Sequence, residues 1–221
     1  MNKINNGKML KQSAYVVAIA AFIMFVSYTA IKALSSTFYN DDFPESLAVK
    51  VELMPLVFPI HMITGALALL LLPLTFMLRR NKRWHKIAGR ITSSVVLISG
   101  ITAFPVAIIA PVTVWSAAGF SAQASMWLLF LALGIASIRR RRMAAHRACM
   151  LMMMATTSGA LFFRIYLALW AQFGQTRYFR IFYAFDAWIA WMLPLTICAV
   201  FLVRESRANP KSAIPSLAPF G

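Results

Sequence analysis

The sequence predicts an all-α, polytopic membrane protein with six transmembrane helices, and three observations lead to that prediction. Of the 221 residues, 61% are hydrophobic and 13% charged, and the mean hydropathy is +0.72. An ordinary globular domain is closer to half apolar and a quarter charged. The apolar residues fall in runs of about 20, the length that a helix needs to cross the hydrocarbon of a bilayer. Between the runs lie short basic clusters, as is typical of the loops of membrane proteins.

The same observations exclude two classes of protein. A disordered chain has few apolar residues and many charges, which is the opposite of this composition. The net charge of +16 raises the possibility of nucleic-acid binding, which needs a basic face on a folded soluble module. No stretch between the apolar runs is long enough to form such a module, so we expect no nucleic-acid partner.

The six predicted spans follow one another with short connections, and residues 204–221 form a short tail after the last. The first span could be mistaken for a signal peptide because lysines precede it. Its apolar stretch continues from Ala14 to Ile31, whereas the apolar part of a signal peptide has only about 7–15 residues. We therefore predict one transmembrane domain over residues 1–221 with spans at 13–34, 55–78, 91–111, 117–138, 148–171 and 184–203.

The distribution of basic residues predicts the orientation. Seventeen of the 22 lysines and arginines lie in the amino-terminal segment, the loops at 79–90 and 139–147, and the tail. The positive-inside rule then places both termini in the cytoplasm. Clustered arginines on this side attract anionic lipid headgroups, so we expect the bilayer and its anionic lipids as partners.

A weak internal repeat pairs spans two and three with spans four and five. In each half an apolar helix is followed by a basic loop with a histidine, His85 or His146, and these lie 61 residues apart. The repeat predicts a central four-helix bundle of spans two to five, flanked by spans one and six. Because basic residues are expected in every inner loop, true duplication stays open.

Ionisable side chains inside the spans are expensive in lipid and therefore indicate function. His61, Arg164 and Asp186 are placed at similar depths near the outer side. We predict that they form an outer polar cluster in which Arg164 and Asp186 make an ion pair. The purely structural alternative is that the pair keeps Arg164 out of lipid while His61 donates to a backbone carbonyl.

A second candidate site lies at the cytoplasmic edge, where His85 and His146 begin the small, polar faces of spans three and five. Small residues let membrane helices approach closely, so these faces, which include Val96 and Met153, are expected to point into the bundle. The same holds for the face of span two that carries His61 and Ala68. Two imidazoles at one depth could bind the iron of haem b. Gly89 and Gly100 would then leave room for the porphyrin ring. Arg90 and Arg147 could hold the propionates. The alternative is a pair of solvated histidines at the interface. No other metal is expected.

The sequence resembles the bacterial predicted-membrane-protein family called domain of unknown function 2306. The matching residues extend from His61 to Tyr166: His61 with Gly65, Trp84-His85-Lys86 with Gly89-Arg90, His146-Arg147 with Met150, and Arg164. This resemblance supports the residues singled out above but implies no activity. Because the family is bacterial, the resemblance implies a multi-pass protein of the bacterial cytoplasmic (inner) membrane. The order of the helices also resembles the six-helix di-haem b-type cytochromes, which implies haem and electron transfer. Span four offers no histidine to pair with His61, so at most one bis-histidine haem can be built.

The sequence leaves three functions open. The first is a haem-binding electron-transfer protein that uses His85 and His146. The second is a small transporter or proton-coupled carrier that uses His61, Arg164 and Asp186. The third is a non-catalytic scaffold or assembly subunit with a membrane-protein partner. Whether the protein is an enzyme is also open, since neither paired carboxylates within a span nor a phosphate-binding loop is found.

Overall fold

The computed structural model describes residues 45–208 and, before them, helical positions 17, 20–25, 27, 28 and 31. Over these residues the chain is all-α. Numbered from residue 45, the helices are α1 (Glu45–Leu53), α2 (Val57–Met77), α3 (Lys82–Ile108), α4 (Val114–Arg139), α5 (Met143–Phe173) and α6 (Phe179–Ala208). Short 3₁₀ turns at Leu78–Arg80 and Thr176–Tyr178 follow α2 and precede α6.

Helices α2 to α6 are the 5 described helices that are long and apolar enough to cross a membrane. They correspond to the predicted second to sixth spans. The predicted first span, 13–34, lies mostly outside the described residues, so a total of six spans stays a prediction. Large apolar side chains such as Ile101, Ile197 and Phe201 remain exposed, as expected for helices that face lipid on their outer surfaces.

Helices α3 to α6 are longer than the predicted third to sixth spans because hydropathy detects only the part of a helix that lies in lipid. Helix α3 begins at Lys82 and α5 at Met143, within the basic segments. Asn81 caps α3 by accepting a hydrogen bond from the backbone N–H of Trp84 at 3.3 Å, which fixes the start of this helix. His85 and His146 consequently lie in the first turns of α3 and α5.

Short connections make the helices alternate in direction. The α2–α3 and α4–α5 connections are rich in arginine and lie with the carboxyl end of α6 at what we call the basic end. The tight turn between α4 and α5 contains Arg141 with a left-handed backbone (φ 58°). We call the opposite end, where α2, α4 and α6 begin, the far end. Thr113 and Ser116 close a capping box at the start of α4 there, which satisfies otherwise unpaired backbone donors.

The described helices pack as two hairpins side by side, with the last span at one side. Helices α2 and α3 form one hairpin, α4 and α5 form a second, and α3 packs on α4. Helix α6 packs extensively against both α4 and α5, whereas α2 touches α5 only briefly. In the described part of the chain α6 has no extended contact with α2 or α3, so it lies at the side of the assembly, against the second hairpin, in agreement with the predicted flanking position of the last span.

The interior between the hairpins is filled by large apolar side chains. Trp127, Phe130 and Leu131 of α4 meet Met153 of α5 and Val96 of α3 in one buried cluster. The predicted inward stripes of α2, α3 and α5 contain buried residues of this core, including Ala68, Val96 and Met153. Helical periodicity thus located the inner faces of these helices correctly.

Candidate functional site

All three histidines bond in the same way. Each donates from Nδ1 to a backbone carbonyl oxygen of the other helix in its hairpin: His61 to Ser99 at 3.0 Å, His85 to Thr75 at 2.9 Å and His146 to Gly134 at 2.9 Å. A carbonyl oxygen only accepts, so Nδ1 carries the hydrogen and Nε2 is left for another partner. For His61 this is the bond that the purely structural alternative predicted.

Gln123 completes the pattern in the second hairpin. Its Nε2 donates to the carbonyl oxygen of Thr156 at 3.0 Å, so it joins α4 to α5 as His61 joins α2 to α3. Gln123 lies 62 residues after His61, and His146 lies 61 after His85. Each hairpin is therefore held by one such bond towards the far end and one at the basic end. The positions of the histidines alone do not reveal that Gln123 corresponds to His61, because the second hairpin has an amide there.

At the basic end, the predicted haem ligands His85 and His146 are both half-buried, on α3 and α5. In the described part of the chain these two helices share no extended interface. Of the two glycines predicted to leave room for a porphyrin, Gly100 has its space filled and Gly89 does not. A Cβ on Gly100 would lie 2.5 Å from Leu128, and one on Gly89 would be 3.9 Å from Thr75.

The two arginines proposed for the propionates differ in their partners. Arg90 is exposed. Arg147 donates from both terminal nitrogens to the carboxylate of Glu205 in α6, at 2.8 and 3.3 Å, so both of these nitrogens already have a hydrogen-bond partner. This bridge joins the beginning of α5 to the end of α6. Among the described residues, no group of three or more His, Cys, Asp and Glu side chains could hold a metal ion.

The predicted ion pair towards the far end does not form. The guanidinium of Arg164 donates to the carbonyl oxygen of Ala160 at 2.8 Å, and neither Arg164 nor Asp186 belongs to an ion pair between described residues. Equal depth in the membrane does not determine which way two helices turn their side chains, and this is why the prediction failed.

Asp186 is instead buried without a hydrogen bond to any described residue. The residue is only 1% exposed, and the lack of a partner applies to both oxygens of its carboxylate. It lies seven residues inside α6, roughly 10 Å from the start of that helix at 1.5 Å per residue. Ser99 Oγ is also fully buried and unpartnered.

Tyr183 connects these groups and was missed by the sequence analysis. It interacts electrostatically with both Arg164 and Asp186, and Arg164 interacts in turn with His61. Its ring also packs edge-on against Phe163 and Phe120, with centroids 5.3 and 6.0 Å away. A tyrosine three residues before an aspartate on one helix face is the signal that could have revealed it.

Together these side chains form what we call the far polar layer, an arrangement of ionisable and amide groups in the half of the core nearer the far end. Its members come from helices α2 to α6 and have few side-chain partners: His61, Ser99, Gln123, Arg164, Tyr183 and Asp186.

A groove of about 380 Å³ opens between the starts of α4 and α6 and includes Trp115, Arg180 and Trp188 in its lining. None of the residues that line it belongs to the far polar layer.

Comparison with known proteins gives one match. Residues 58–203 match the family model described as "Predicted membrane protein (DUF2306)", which covers nearly the whole of the five described spans. No curated protein and no solved structure matches the chain.

Proposed function

The chain belongs to the DUF2306 family of predicted membrane proteins, and we propose that it is a small proton-coupled carrier whose site is the far polar layer. The observation that carries this proposal is Asp186, which is 1% exposed and has two unpartnered carboxylate oxygens. An ionisable group inside a span costs free energy unless it is paired, and such residues commonly mark proton or substrate pathways.

The neighbours of Asp186 support this function more than a purely structural one. A structural carboxylate would be expected to bind Arg164, because breaking or omitting a buried pair leaves uncompensated charge. Among the described residues Arg164 bonds only to a backbone carbonyl oxygen. Tyr183 interacts electrostatically with both Arg164 and Asp186. Both the carboxyl and most of the guanidinium donors therefore remain available to a proton or a solute.

Proton movement into liposomes tests the proposal. The protein would be reconstituted into vesicles that contain a trapped pH dye, and a membrane potential that is negative inside would drive protons inward. Four parallel samples would contain no added solute, gluconate, choline or mannitol. We expect the interior to acidify faster than in protein-free vesicles in at least one condition. Asp186→Asn should slow the protein-dependent rate at least about a hundredfold, the lower end of what a positioned proton-transfer group contributes.

Glu205→Gln is the matched control, since it makes the same carboxyl-to-amide change at a carboxylate that binds Arg147 at the surface. It should keep the wild-type rate. The carrier proposal is overturned if wild-type vesicles behave as protein-free vesicles in all four conditions, or if Asp186→Asn moves protons as fast as wild type. The first outcome would instead favour a non-catalytic scaffold or assembly subunit.

A haem held by His85 and His146 is a second candidate function, and one observation favours it. Both rings donate Nδ1–H to a backbone carbonyl oxygen, the kind of bond that typically orients a metal-binding histidine and leaves Nε2 for the metal. The donor chemistry fits haem iron, but the arrangement does not fit a porphyrin between the two rings, because α3 and α5 share no extended interface in the described residues and Leu128 fills the clearance predicted at Gly100. We therefore derive no electron-transfer step.

An absorption spectrum decides this second candidate. Haem ligated by this pair predicts a Soret band in protein purified from a haem-replete host, and loss of that band in His85→Ala and in His146→Ala. Gln123→Ala, which removes a hairpin bond of the same kind without removing an imidazole, should retain it. A colourless, iron-free wild-type preparation would refute haem binding.

We also propose that the protein lies in a bacterial inner membrane with the basic end in the cytoplasm. The basic end carries the arginine-rich connections, and a basic bias in short loops is what orients membrane helices. A fluorescent protein fused after residue 221 should fluoresce, and an alkaline phosphatase fused there should be inactive. The reverse pattern would contradict this orientation.

A further inference from the structure

The groove between the starts of α4 and α6 is a feature that the proposed function does not use. Its volume of about 380 Å³ is within the range of sites that hold small ligands, roughly 300–1,000 Å³. One wall is a face of α6 and the other is the beginning of α4. The residues that the argument needs are Trp115, Arg180, Ile181, Ala184, Phe185 and Trp188.

The groove exists because α6 begins farther out than α4 does. Gly119 of α4 lies against the backbone of Ala187 in α6, and these residues are five and eight positions after the starts of their helices. Both helices begin at the far end, so the first turns of α6 project past α4 by about three residues, roughly 5 Å. Trp188 Nε1 donates to the carbonyl oxygen of Trp115 at 3.0 Å, which joins the two helices at the inner part of the groove.

The groove opens onto the surface that faces lipid. Trp115 and Phe185 are each 70% exposed and Ile181 is 58% exposed, on helices long and apolar enough to cross a membrane. Ile181, Phe185 and Trp188 follow one another at intervals of four and three residues, so they share one face of α6. From Arg180 to Trp188 this face extends about 12 Å along the helix. An acyl chain that lay along it would contact apolar side chains over that length.

Arg180 is the one charged side chain among the described residues that line the groove. It is exposed and is the second residue of α6, so it lies at the outer end of the apolar face. A guanidinium can donate two parallel hydrogen bonds to a phosphate group. Tryptophans such as Trp115, in the first turn of α4, are typical of the level of the lipid headgroups. An apolar groove with a cation at its outer end is therefore complementary to a phospholipid that carries a net negative charge.

We propose that this groove binds an anionic phospholipid, with one acyl chain along α6 and the phosphate at Arg180. The bilayer supplies this ligand at the place where the groove opens. Phe185 lines the groove and the next residue is the buried Asp186, so the lipid would cover the outer side of the helical turn that holds Asp186 in the core. The site is separate from the far polar layer, and its test involves no transport.

Quenching of tryptophan fluorescence by brominated phospholipids provides the test. Full-length protein with Trp84→Phe, which removes an exposed tryptophan of the basic end, would be reconstituted into phosphatidylcholine vesicles. A small and equal share of the lipid would be either phosphatidylglycerol or phosphatidylcholine with bromine on the acyl chains. Bromine quenches the tryptophans that it contacts, so a lipid held in the groove predicts stronger quenching by brominated phosphatidylglycerol.

Three further substitutions, made in the same background, locate the lipid. Arg180→Gln removes the charge at the groove and should raise the amount of brominated phosphatidylglycerol needed for half-maximal quenching about tenfold. Arg177→Gln is the matched control, because it removes the same charge three residues earlier. Its guanidinium lies over the ring of Tyr178 at 4.4 Å and does not line the groove, so the preference should remain. Trp115→Phe keeps an aromatic ring but removes one quenched tryptophan, and it should reduce the excess quenching.

Three results would overturn the proposal. If the two brominated lipids quenched equally, the groove would bind any acyl chain or be covered by protein, for example by the predicted first span. If Arg177→Gln lowered the preference as much as Arg180→Gln, the attraction would be a diffuse effect of positive charge at this end. If Trp115→Phe left the excess quenching unchanged, the anionic lipid would lie elsewhere on the protein.

Discussion

The Asp186→Asn protein is expected to unfold at a higher temperature than wild type, although it should lose proton movement. The side chain is 1% exposed and both oxygens lack partners among the described residues, so the wild-type protein holds an unsatisfied ionisable group in its core. Leaving buried polar groups unpaired costs about 1–3 kcal/mol. An amide has the same shape and leaves its polar atoms equally unpaired, but it cannot ionise, so it removes the additional cost of a buried charge, for which we expect about 1 kcal/mol.

Tryptophan fluorescence during heating, in one detergent, measures this effect. For a chain of this size 1 kcal/mol corresponds to a Tm rise of about 2–4 °C. Glu205→Gln is again the control, because it breaks an exposed pair with Arg147 that is worth only about 0–1 kcal/mol. Its Tm should therefore stay at or slightly below that of wild type.

The sign of the change separates a functional carboxyl from a structural one. A lower Tm for Asp186→Asn would mean that Asp186 makes stabilising bonds in the folded protein, and the case for a pathway would lose its main support. A higher Tm together with lost proton movement is the combination expected when a site is kept at the expense of stability.

The sequence was sufficient to predict the helical class and the inner faces of α2, α3 and α5. Those predictions depend on composition and on a period of 3.6 residues, which are local properties of the chain. The buried positions of Ala68, Val96 and Met153 confirm them. The same reasoning identified the residues of the far polar layer that are ionisable and lie deep within a span, His61, Arg164 and Asp186.

What the sequence did not determine is how the helices are rotated and which of them meet. The Arg164–Asp186 pair was inferred from depth alone, and depth does not specify the direction of a side chain around its helix. Gln123 was overlooked because its amide, unlike a histidine, has no distinctive chemistry by itself. Its role becomes visible only when its bond to Thr156 is set beside that of His61.

Helix α6 packs closely on the second hairpin, and two glycines explain this close approach. A Cβ on Gly119 of α4 would lie 2.8 Å from the backbone oxygen of Ala187. One on Gly159 of α5 would lie 2.5 Å from Trp191 Cβ and 2.9 Å from its Cα. Because α4 and α5 each present a bare backbone at these points, α6 approaches both closely, as small residues allow in membrane proteins. This approach is what brings Asp186 into the core.

Gly159→Ala is therefore expected to destabilise the protein and displace α6. The added methyl group meets the Cα of Trp191, which can yield only if the whole helix moves, and overpacking of this kind costs about 1–3 kcal/mol. Alanine also favours the helix by about 0.8–1 kcal/mol relative to glycine, so the net loss is smaller than the overpacking cost alone. Displacement of α6 should also move Asp186 and reduce proton movement.

Gly65→Ala is the matched control because it makes the same change in a span where there is room. Its Cβ would lie 3.5 Å from Ser99 Oγ, an ordinary contact, so only the gain in helix propensity remains and the Tm should rise or stay unchanged. Heating curves and the vesicle assay should be recorded for both variants in parallel. If Gly159→Ala matched Gly65→Ala in Tm and in proton movement, the close approach of α5 and α6 at Trp191 would not exist in the membrane. The location of Asp186 inside the core, on which the carrier proposal depends, would then lose its structural basis.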